Sequence, residues 1–282
     1  MKNGVLYVDR EILNLEEAAE LFGVSIKTFI KLLKEEKVPA RKIGREWRFS
    51  RKALIDWLSS GDSQAYSASE SDTREFFNKV APEWEQLSRT CYDESIRDKL
   101  FQLNLLDENM TVLDLGSGDG YLSRAVAAHV KKVIAVDISG EMLNELEKKA
   151  KAAGISNIET IESDGQDVPL EDSSVEMVCA NMYLHHIEEP DIAIKEMYRL
   201  VKPGGKVFVA DFCIHKNEEF KEKMHDVWPG FKRQEIKKWF CDNGFTNVQI
   251  ETFQKGIDSG TGTSRGGMNI FVLTAEKPLD IN

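Results

Sequence analysis

Three glycines at alternate positions, directly after a short apolar run, form the segment best suited to chemistry. Residues 112–120 read Val-Leu-Asp-Leu-Gly-Ser-Gly-Asp-Gly, with glycines at Gly116, Gly118 and Gly120. Glycines permit positive φ angles and let a ligand lie directly on the main chain. A dinucleotide fingerprint would need its third glycine where Tyr121 stands. The spacing therefore favours a different nucleoside site, although a tight turn without ligand also fits this segment alone.

Polar residues lie at the ends of the apolar runs that follow the glycine segment in the sequence. Asp137 ends the second predicted strand, Asp164 follows the third, and Asn181 ends the fourth. Open α/β sheets bind ligands at the carboxyl ends of their parallel strands. A carboxylate at Asp137 can accept two hydrogen bonds from ribose hydroxyls, and Asp164 can accept one from an adenine amino group. These residues therefore extend the predicted nucleoside site.

The segment from about Phe76 to Ala210 resembles the class I S-adenosylmethionine-dependent methyltransferases. Its D-x-G-x-G-x-G pattern at 114–120 is similar to their motif I. Residues 182–186, Met-Tyr-Leu-His-His, match a stretch common in the ubiquinone and menaquinone C-methyltransferase branch. The resemblance implies an α/β fold with a seven-stranded Rossmann-like sheet. It also implies S-adenosylmethionine as cofactor and S-adenosylhomocysteine as product.

The same resemblance assigns roles to individual positions. It implies that Asp114 and residues 116–118 flank the methionine moiety, that Asp137 binds the ribose and that Asn181 lies near the sulfonium. The implied cofactor-binding residues are Asp114, Gly116, Ser117, Gly118, Asp137, Ile138, Asp164, Gly165 and Asn181.

In methyl transfer from a sulfonium, the protein must mainly hold donor and acceptor in line and exclude water. A general base is needed only when the acceptor must lose a proton. His185 and His186 are the candidate catalytic residues, with capping or packing as the alternative. The candidate acceptor-pocket residues are Trp84, Cys91, Tyr92, Tyr183 and His225.

Metal and metalloid chemistry receive weaker support from the sequence. His225 beside Asp226 could serve acid-base or metal chemistry, but a surface helix end is the expectation, and no metal site is predicted. The four cysteines form no C-x-x-C pair, so neither a disulfide framework nor a zinc cluster is expected. Cys91 and Cys213 leave methylation of trivalent arsenic as an alternative acceptor chemistry.

Length and composition limit the class of protein. The 282 residues suffice for one large α/β domain and a smaller module. No stretch approaches the roughly 20 apolar residues of a membrane helix, and the first residues lack the apolar run of a secretory signal. We therefore expect a cytoplasmic protein with no membrane partner.

The N-terminal segment has the pattern of a small helical module. Residues 15–22 form a short amphipathic pattern, Gly23 makes a turn, and Ser25 is the expected N-cap of a second helix. Residues 38–49 alternate about Gly44, as in a hairpin wing. The block from 13 to 58 resembles the excisionase-type winged helix-turn-helix.

Charge separates this module from the remainder of the chain. Residues 1–61 carry 12 basic and 9 acidic side chains, whereas the whole chain has a net charge of −11. Such asymmetry favours contact with nucleic acid, although a solvated surface is the alternative. The candidate DNA-binding residues are Ser25, Lys27, Thr28, Lys31, Arg41, Lys42, Arg45 and Arg48. Useful affinity from one such small module would require a homodimer or tandem sites.

We therefore predict a helix-turn-helix domain at 1–60, a flexible Ser-rich linker at 61–74 and a methyltransferase domain at 75–282. The predicted function is methylation of a small-molecule acceptor by an enzyme that carries a DNA-binding module. The alternative is a transcription regulator that senses S-adenosylmethionine or S-adenosylhomocysteine without turnover. Neither the Asn/Asp-Pro-Pro-aromatic motif nor the Pro-Cys pair of DNA-methylating enzymes is present, which argues against DNA bases as the acceptor.

Overall fold

The protein divides into two compact units, Met1–Ala68 and Ser69–Asn282. The structure, a computed structural model, describes residues 10–35, 38–44, 46–60, 63–89, 91–254 and 268–279. Among these residues, no helix combines the length and the apolar character needed to cross a membrane.

The first unit contains the predicted helix-turn-helix and wing. Its elements are β1 (Ile12–Leu13), α1 (Leu15–Leu21), α2 (Ile26–Glu35), β2 (Arg41–Ile43), β3 (Glu46–Ser50) and α3 (Arg51–Ser60). The strand order is β1-β3-β2, with both pairings antiparallel. The Ser25 hydroxyl accepts a hydrogen bond from the Thr28 amide, as an N-cap does. Phe29, Phe49 and Leu54 are fully buried in its core.

The predicted flexible linker at 61–74 is wrong in its secondary structure. Helix α4 (Ser63–Val80) runs through residues 63–74. No glycine or proline interrupts this stretch, and serine is only moderately unfavourable within a helix. At the other end of the helix, Phe77 is buried beside Trp84. The helix is anchored at Phe77 and continues back through residues of weak helix propensity. It therefore includes a stretch that composition alone indicated to be coil.

The second unit is an α/β domain. Beyond α4, its helices are α5 (Trp84–Ser88), α6 (Ser95–Gln102), α7 (Tyr121–Val126), α8 (Gly140–Ala152), α9 (Pro190–Leu200), α10 (Glu218–Lys223) and α11 (Arg233–Asp242). Its strands are β4 (Thr111–Leu115), β5 (Lys132–Asp137), β6 (Ile158–Glu162), β7 (Val175–Asn181), β8 (Val201–Phe212), β9 (Thr246–Gln254) and β10 (Asn269–Glu276). Short 3-10 turns occupy Ala81–Glu83, Ala127–His129 and Leu184–His186.

The seven strands form one sheet in the order β6-β5-β4-β7-β8-β10-β9. The first five strands in that order pair in parallel, and β10 pairs antiparallel with both β8 and β9. This arrangement confirms the predicted seven-stranded Rossmann-like sheet. The carboxyl ends of β4, β5, β7 and β8 therefore lie side by side at one edge.

The sheet is covered on both faces. Consecutive strand residues point in opposite directions, so Val112 and Leu113 belong to two different buried clusters. Both residues are fully buried. Apolar runs without polar alternation in β4, β5 and β7 reflect this double burial. Polar side chains are consequently concentrated at the ends of these strands.

Candidate functional site

The glycine turn (residues 116–120) leaves β4 in the conformation that its glycines allow. Gly116, Gly118 and Gly120 have φ angles of 66°, 52° and 87°. The Ser117 amide donates to the Val136 carbonyl at 3.0 Å, which ties the turn to the neighbouring strand β5. The predicted tight strand-to-helix turn is therefore present.

Neighbouring side chains also require glycine in this turn. A Cβ on Gly116 would lie 2.6 Å from the Tyr183 ring, and one on Gly120 would lie 2.6 Å from Leu146. A Cβ on Gly118 would lie 3.2 Å from Trp84 Nε1. The turn thus contacts Tyr183 and Trp84 through two different glycines, and its backbone admits no larger residue at either end.

Asp137 holds the glycine turn from the adjacent strand. Its Oδ2 accepts a hydrogen bond from the Gly118 amide at 2.8 Å, and its Oδ1 accepts one from the Ser139 amide at 2.9 Å. Burial raises the pKa of this carboxyl to about 6. Each oxygen retains a further lone pair, so a ribose hydroxyl can still donate to it.

Asp114 is buried beneath the same turn. The Ser123 hydroxyl donates to its Oδ2 at 2.5 Å and so links the end of β4 to α7. Burial raises the pKa of Asp114 to about 7, and the nearby charge of Asp137 acts in the same direction. The hydrogen bond with Ser123 lies within the protein. Contact of Asp114 with the methionine moiety of the cofactor stays a prediction.

The other predicted cofactor residues lie along the same edge. Asp164 Oδ1 accepts a hydrogen bond from the Gln166 amide at 2.9 Å, and Ile138 is half-buried. Gly165 packs against Tyr183, whose hydroxyl donates to the Asp164 carbonyl at 2.9 Å. The structure therefore brings the segment that follows β6 into contact with the segment that follows β7.

Two buried polar atoms at this edge have no partner among the residues that the structure describes. Neither the Ser117 hydroxyl nor Asn181 Oδ1 has a hydrogen-bond partner. Buried polar atoms are rarely left unpaired unless a ligand or water completes them. Together with the glycine backbone and Asp137, they fit a ligand that carries a nucleoside and an amino-acid end, as S-adenosylmethionine does.

The predicted acceptor-pocket residues do not form one group. Trp84, Cys91 and Tyr92 belong to one buried cluster, whereas Tyr183 belongs to the cluster on the other face of the sheet. His225 is exposed, and its ring stacks on Phe76 with a centroid distance of 4.3 Å. Contact of these residues with an acceptor stays a prediction.

The two candidate catalytic histidines lie in a buried charged group, here called the histidine cluster (His185, His186, Asp211 and Asp226). His185 Nδ1 lies 2.7 Å from Asp211 Oδ1. Asp226 Oδ1 lies 3.5 Å from His185 Nε2 and 3.7 Å from His186 Nδ1. The cluster unites residues from three separate parts of the sequence.

The expectation that Asp226 marks a surface helix end is wrong. Its side chain is completely buried, while the neighbouring His225 is exposed. The reason is a backbone contact, because the amides of Val227 and Trp228 both donate to the His185 carbonyl. Of the two carboxylates in the cluster, only Asp211 could have been placed from sequence, because β8 ends at the same edge of the sheet as β7.

Electrostatics differ sharply within the histidine cluster. Burial opposes a charge on His185, but the carboxylates of Asp211 and Asp226 outweigh it, so its pKa is raised. Burial and the neighbouring His185 hold the pKa of His186 well below its ordinary value. Burial raises the pKa of Asp226 to about 6. Two adjacent imidazoles therefore have opposite tendencies to carry a proton.

The predicted DNA-binding residues are only partly within the described structure. Arg41 and Arg48 face each other across the β2–β3 pair, and Lys42 lies over the Trp47 ring. Arg48 forms an ion pair with Glu46, which reduces its free charge. The exposed hydroxyls of Ser25 and Thr28 lie 2.8 Å apart. Arg45 and the side chains of Lys27 and Lys31 lie outside the described residues.

Comparison with known families identifies both units. Residues 113–209 match a model described as a methyltransferase domain, and residues 12–62 match a helix-turn-helix domain. The second match covers the elements α1 to α3 and the wing.

Individual relatives agree with the first match. A methyltransferase-like protein of Schizosaccharomyces pombe is 36% identical over 123 residues, which cover 43% of this chain and 46% of the relative. This chain thus spans less than half the length of that relative. A demethylmenaquinone methyltransferase of Clavibacter sepedonicus is 35% identical over 174 residues, which cover 52% of this chain and 69% of the relative.

A solved structure agrees in fold. A chain from the complex between the Haloferax volcanii Trm112 methyltransferase activator and a methyltransferase superposes with a TM-score of 0.61 and 20% identity. The match covers 72% of this chain and 97% of the other. The glycine turn, the sheet order and these similarities lead to one conclusion: the chain belongs to the class I S-adenosylmethionine-dependent methyltransferases and carries a helix-turn-helix domain at its N-terminal end.

Proposed function

We propose that this protein transfers a methyl group from S-adenosylmethionine to a small-molecule acceptor and binds DNA through its helix-turn-helix unit. The observation that carries the first part is the glycine turn joined to Asp137, with the Ser117 hydroxyl and Asn181 Oδ1 buried and unpartnered beside it. These groups offer a nucleoside and an amino-acid end the contacts that the protein does not supply to itself.

The chain's own residues would bind and orient the two reactants. Asp137 would accept from ribose hydroxyls while it holds the Gly118 amide, and Ser117 and Asn181 would contact the methionine part. When bound, the cofactor supplies an activated methyl group on its sulfonium. The buried rings of Phe77 and Trp84, 5.4 Å apart, would keep water from the methyl group.

The acceptor is proposed as a small molecule with an aromatic or enolic ring. The relative from Clavibacter sepedonicus is named a demethylmenaquinone methyltransferase, which supports a ring of this kind. Phe77, Trp84 and Met182 supply apolar surface near the strand ends. DNA bases remain disfavoured, because the residues after Asn181 lack the motif of amino-methylating DNA enzymes.

A regulator that senses the cofactor is the second candidate, supported by the helix-turn-helix match at residues 12–62. The test incubates the full chain with S-adenosylmethionine and a metabolite extract and measures S-adenosylhomocysteine by mass spectrometry. An enzyme accumulates it well beyond one equivalent per chain. Cofactor binding without turnover in any extract would favour the sensor.

Asp137→Ala tests the cofactor site itself. Loss of a charged hydrogen-bond acceptor should weaken S-adenosylmethionine binding by about 1–3 kcal/mol, or roughly 5–150-fold. Glu108→Gln, which changes an exposed carboxyl, should bind like the wild type. Equal affinity of the two variants, measured by calorimetry, would remove Asp137 from the site.

The DNA proposal is tested with a random-sequence duplex and fluorescence anisotropy at several salt concentrations. Arg41→Ala combined with Lys42→Ala removes two exposed charges from the wing and should lower the salt slope by about 2. Lys52→Ala, which changes a lysine paired with Asp56, is the control. A wild-type affinity that does not depend on salt would contradict DNA binding. Two copies of the chain would supply the contacts that one small domain lacks.

A further inference from the structure

The histidine cluster contains three potential ligand atoms in one buried place. One ligand atom each from His185, His186 and Asp226 lies within 4.8 Å of the others. We propose that these three residues bind a transition-metal dication of the zinc or ferrous-iron class. The proposal rests on contacts in the described part of the chain and concerns a site distinct from the glycine turn.

The histidine cluster has unused polar atoms. Both carboxylate oxygens of Asp226 and the Nδ1 atom of His186 are buried and have no hydrogen-bond partner in the described part of the chain. The Asp226 side chain has no exposed surface. A carboxylate buried without donors is costly, and a bound cation would satisfy it directly.

A carboxylate fixes the orientation of His185. A carboxylate only accepts hydrogen bonds, so the 2.7 Å contact requires that His185 Nδ1 donates to Asp211 Oδ1. In the neutral ring that a metal ion requires, Nε2 then carries the lone pair and lies 3.5 Å from Asp226 Oδ1. Metal-binding histidines commonly donate their second ring nitrogen to a carboxylate in this way. Asp211 is therefore a positioning residue.

The distances between the ligand atoms can be compared with those around a tetrahedral ion. Two ligands bound at about 2.1 Å to a tetrahedral ion lie about 3.4 Å apart. The distances from Asp226 Oδ1 to the two histidine nitrogens are 3.5 and 3.7 Å. The two histidine nitrogens lie within 4.8 Å of each other, so a side-chain movement of about 1 Å would suffice to close the site.

The donor set selects the class of metal. Two imidazole nitrogens and one carboxylate suit zinc, iron, cobalt or nickel, whereas magnesium and calcium prefer oxygen ligands. Three protein ligands leave at least one coordination position for water or another oxygen. The site is therefore expected to discriminate strongly against magnesium.

Aromatic contacts connect this site to the glycine turn. The Phe77 ring lies 5.0 Å from the His186 ring and 5.4 Å from Trp84, and Trp84 in turn borders Gly118. An ion at this position could bind and polarise a hydroxyl or carbonyl oxygen of the acceptor. That role rests on the proposed methyl transfer, whereas metal binding itself does not.

The experiment uses the full chain, free of any histidine tag, stripped with chelator and dialysed. Titration with Co²⁺, followed by its visible absorption, and with Zn²⁺, followed by calorimetry, should reveal one ion per chain. Mg²⁺ should give no comparable binding. Asp226→Asn removes a ligand and should weaken binding by at least about 100-fold, since loss of an outer partner alone typically costs about 10–100-fold.

Matched variants separate this site from adventitious histidine binding. His129→Ala changes an exposed histidine on a 3-10 turn that does not belong to the cluster and should bind like the wild type. His186→Ala provides a second ligand variant if Asp226→Asn fails to fold by circular dichroism. Absence of Co²⁺ and Zn²⁺ binding in the folded wild type, or unchanged binding in both ligand variants, would overturn the proposal.

S-adenosylmethionine affinity is measured on the same samples, so the two proposals can fail separately. Metal binding without cofactor binding would contradict the proposed function alone. Cofactor binding and turnover without metal binding would contradict the metal site alone and would leave the cluster as a hydrogen-bonded group.

Discussion

The glycine turn and the histidine cluster lie at the same edge of the sheet, but they differ in the hydrogen bonds that they supply to buried carboxylates. In the turn, Asp137 accepts two backbone amides and Asp114 accepts the Ser123 hydroxyl. In the cluster, neither oxygen of Asp226 receives a hydrogen bond from any residue that the structure describes. In the glycine turn, the protein supplies hydrogen-bond donors to its own carboxylates. In the histidine cluster, one carboxylate is left without them.

This difference separates a structural frame from a site with unused binding capacity. Groups that the chain satisfies by itself contribute to folding, so changes there should cost stability as well as function. Groups left unsatisfied cost stability and persist where function requires them. Substitutions in the two regions should therefore have effects of opposite sign on the free energy of unfolding.

The largest effect is expected in the glycine turn. Gly116→Ala places a Cβ 2.6 Å from the Tyr183 ring at a positive φ angle. Backbone strain and overpacking together should lower the free energy of unfolding by about 2–5 kcal/mol and abolish cofactor binding. Chemical denaturation and calorimetry measure the two effects.

Gly154→Ala is the matched control for Gly116→Ala. Its φ angle is 71°, yet nothing lies within 4 Å of the new Cβ. It should cost about 1 kcal/mol from backbone strain alone and should leave cofactor binding intact. Equal losses in the two variants would mean that contact with Tyr183 contributes nothing to the turn.

A smaller, pH-dependent effect is expected at Asp114. Its pKa in the folded protein is raised to about 7, so between about pH 4 and 7 the folded state holds a proton that the unfolded chain releases. Stability should therefore fall as pH rises through this range, by about 1 kcal/mol per pH unit from this group.

Asp114→Asn cannot titrate and should flatten that dependence. Urea denaturation at several pH values compares the slopes for the variant and the wild type. An Asn variant as pH-dependent as the wild type would show that Asp114 is not a buried, protonated group. The glycine turn could then no longer be described as a region that hydrogen-bonds its own buried carboxyl groups.

The smallest effect, with the opposite sign, is expected for Asp226→Asn in metal-free protein. The change removes a buried charge and gives up only the 3.5 Å contact with His185 Nε2, because His185 stays paired with Asp211. It should raise the free energy of unfolding near neutral pH by about 1 kcal/mol. A decrease of similar size in the free energy of unfolding would show that Asp226 is stabilised within the protein, as Asp137 is. The two regions would then not differ.

Much of the fold follows from local patterns. Apolar runs of five or six residues predicted the strands, and the turn at Gly23 with the Ser25 cap predicted the helix-turn-helix. The linker was wrong because its serines allow either coil or helix, and a helix anchored at Phe77 extended through it. Local propensity there was too weak to decide.

The sequence by itself determined a nucleoside site, because short spacing specifies the glycine turn and the residues at the strand ends, and its resemblance to the class I methyltransferases indicated the cofactor. Only the tertiary structure decided which side chains meet at the histidine cluster. Asp226 lies 41 positions from His185 and beside the more obvious His225. Its burial follows from two amides bound to the His185 carbonyl, a long-range contact that no local spacing encodes.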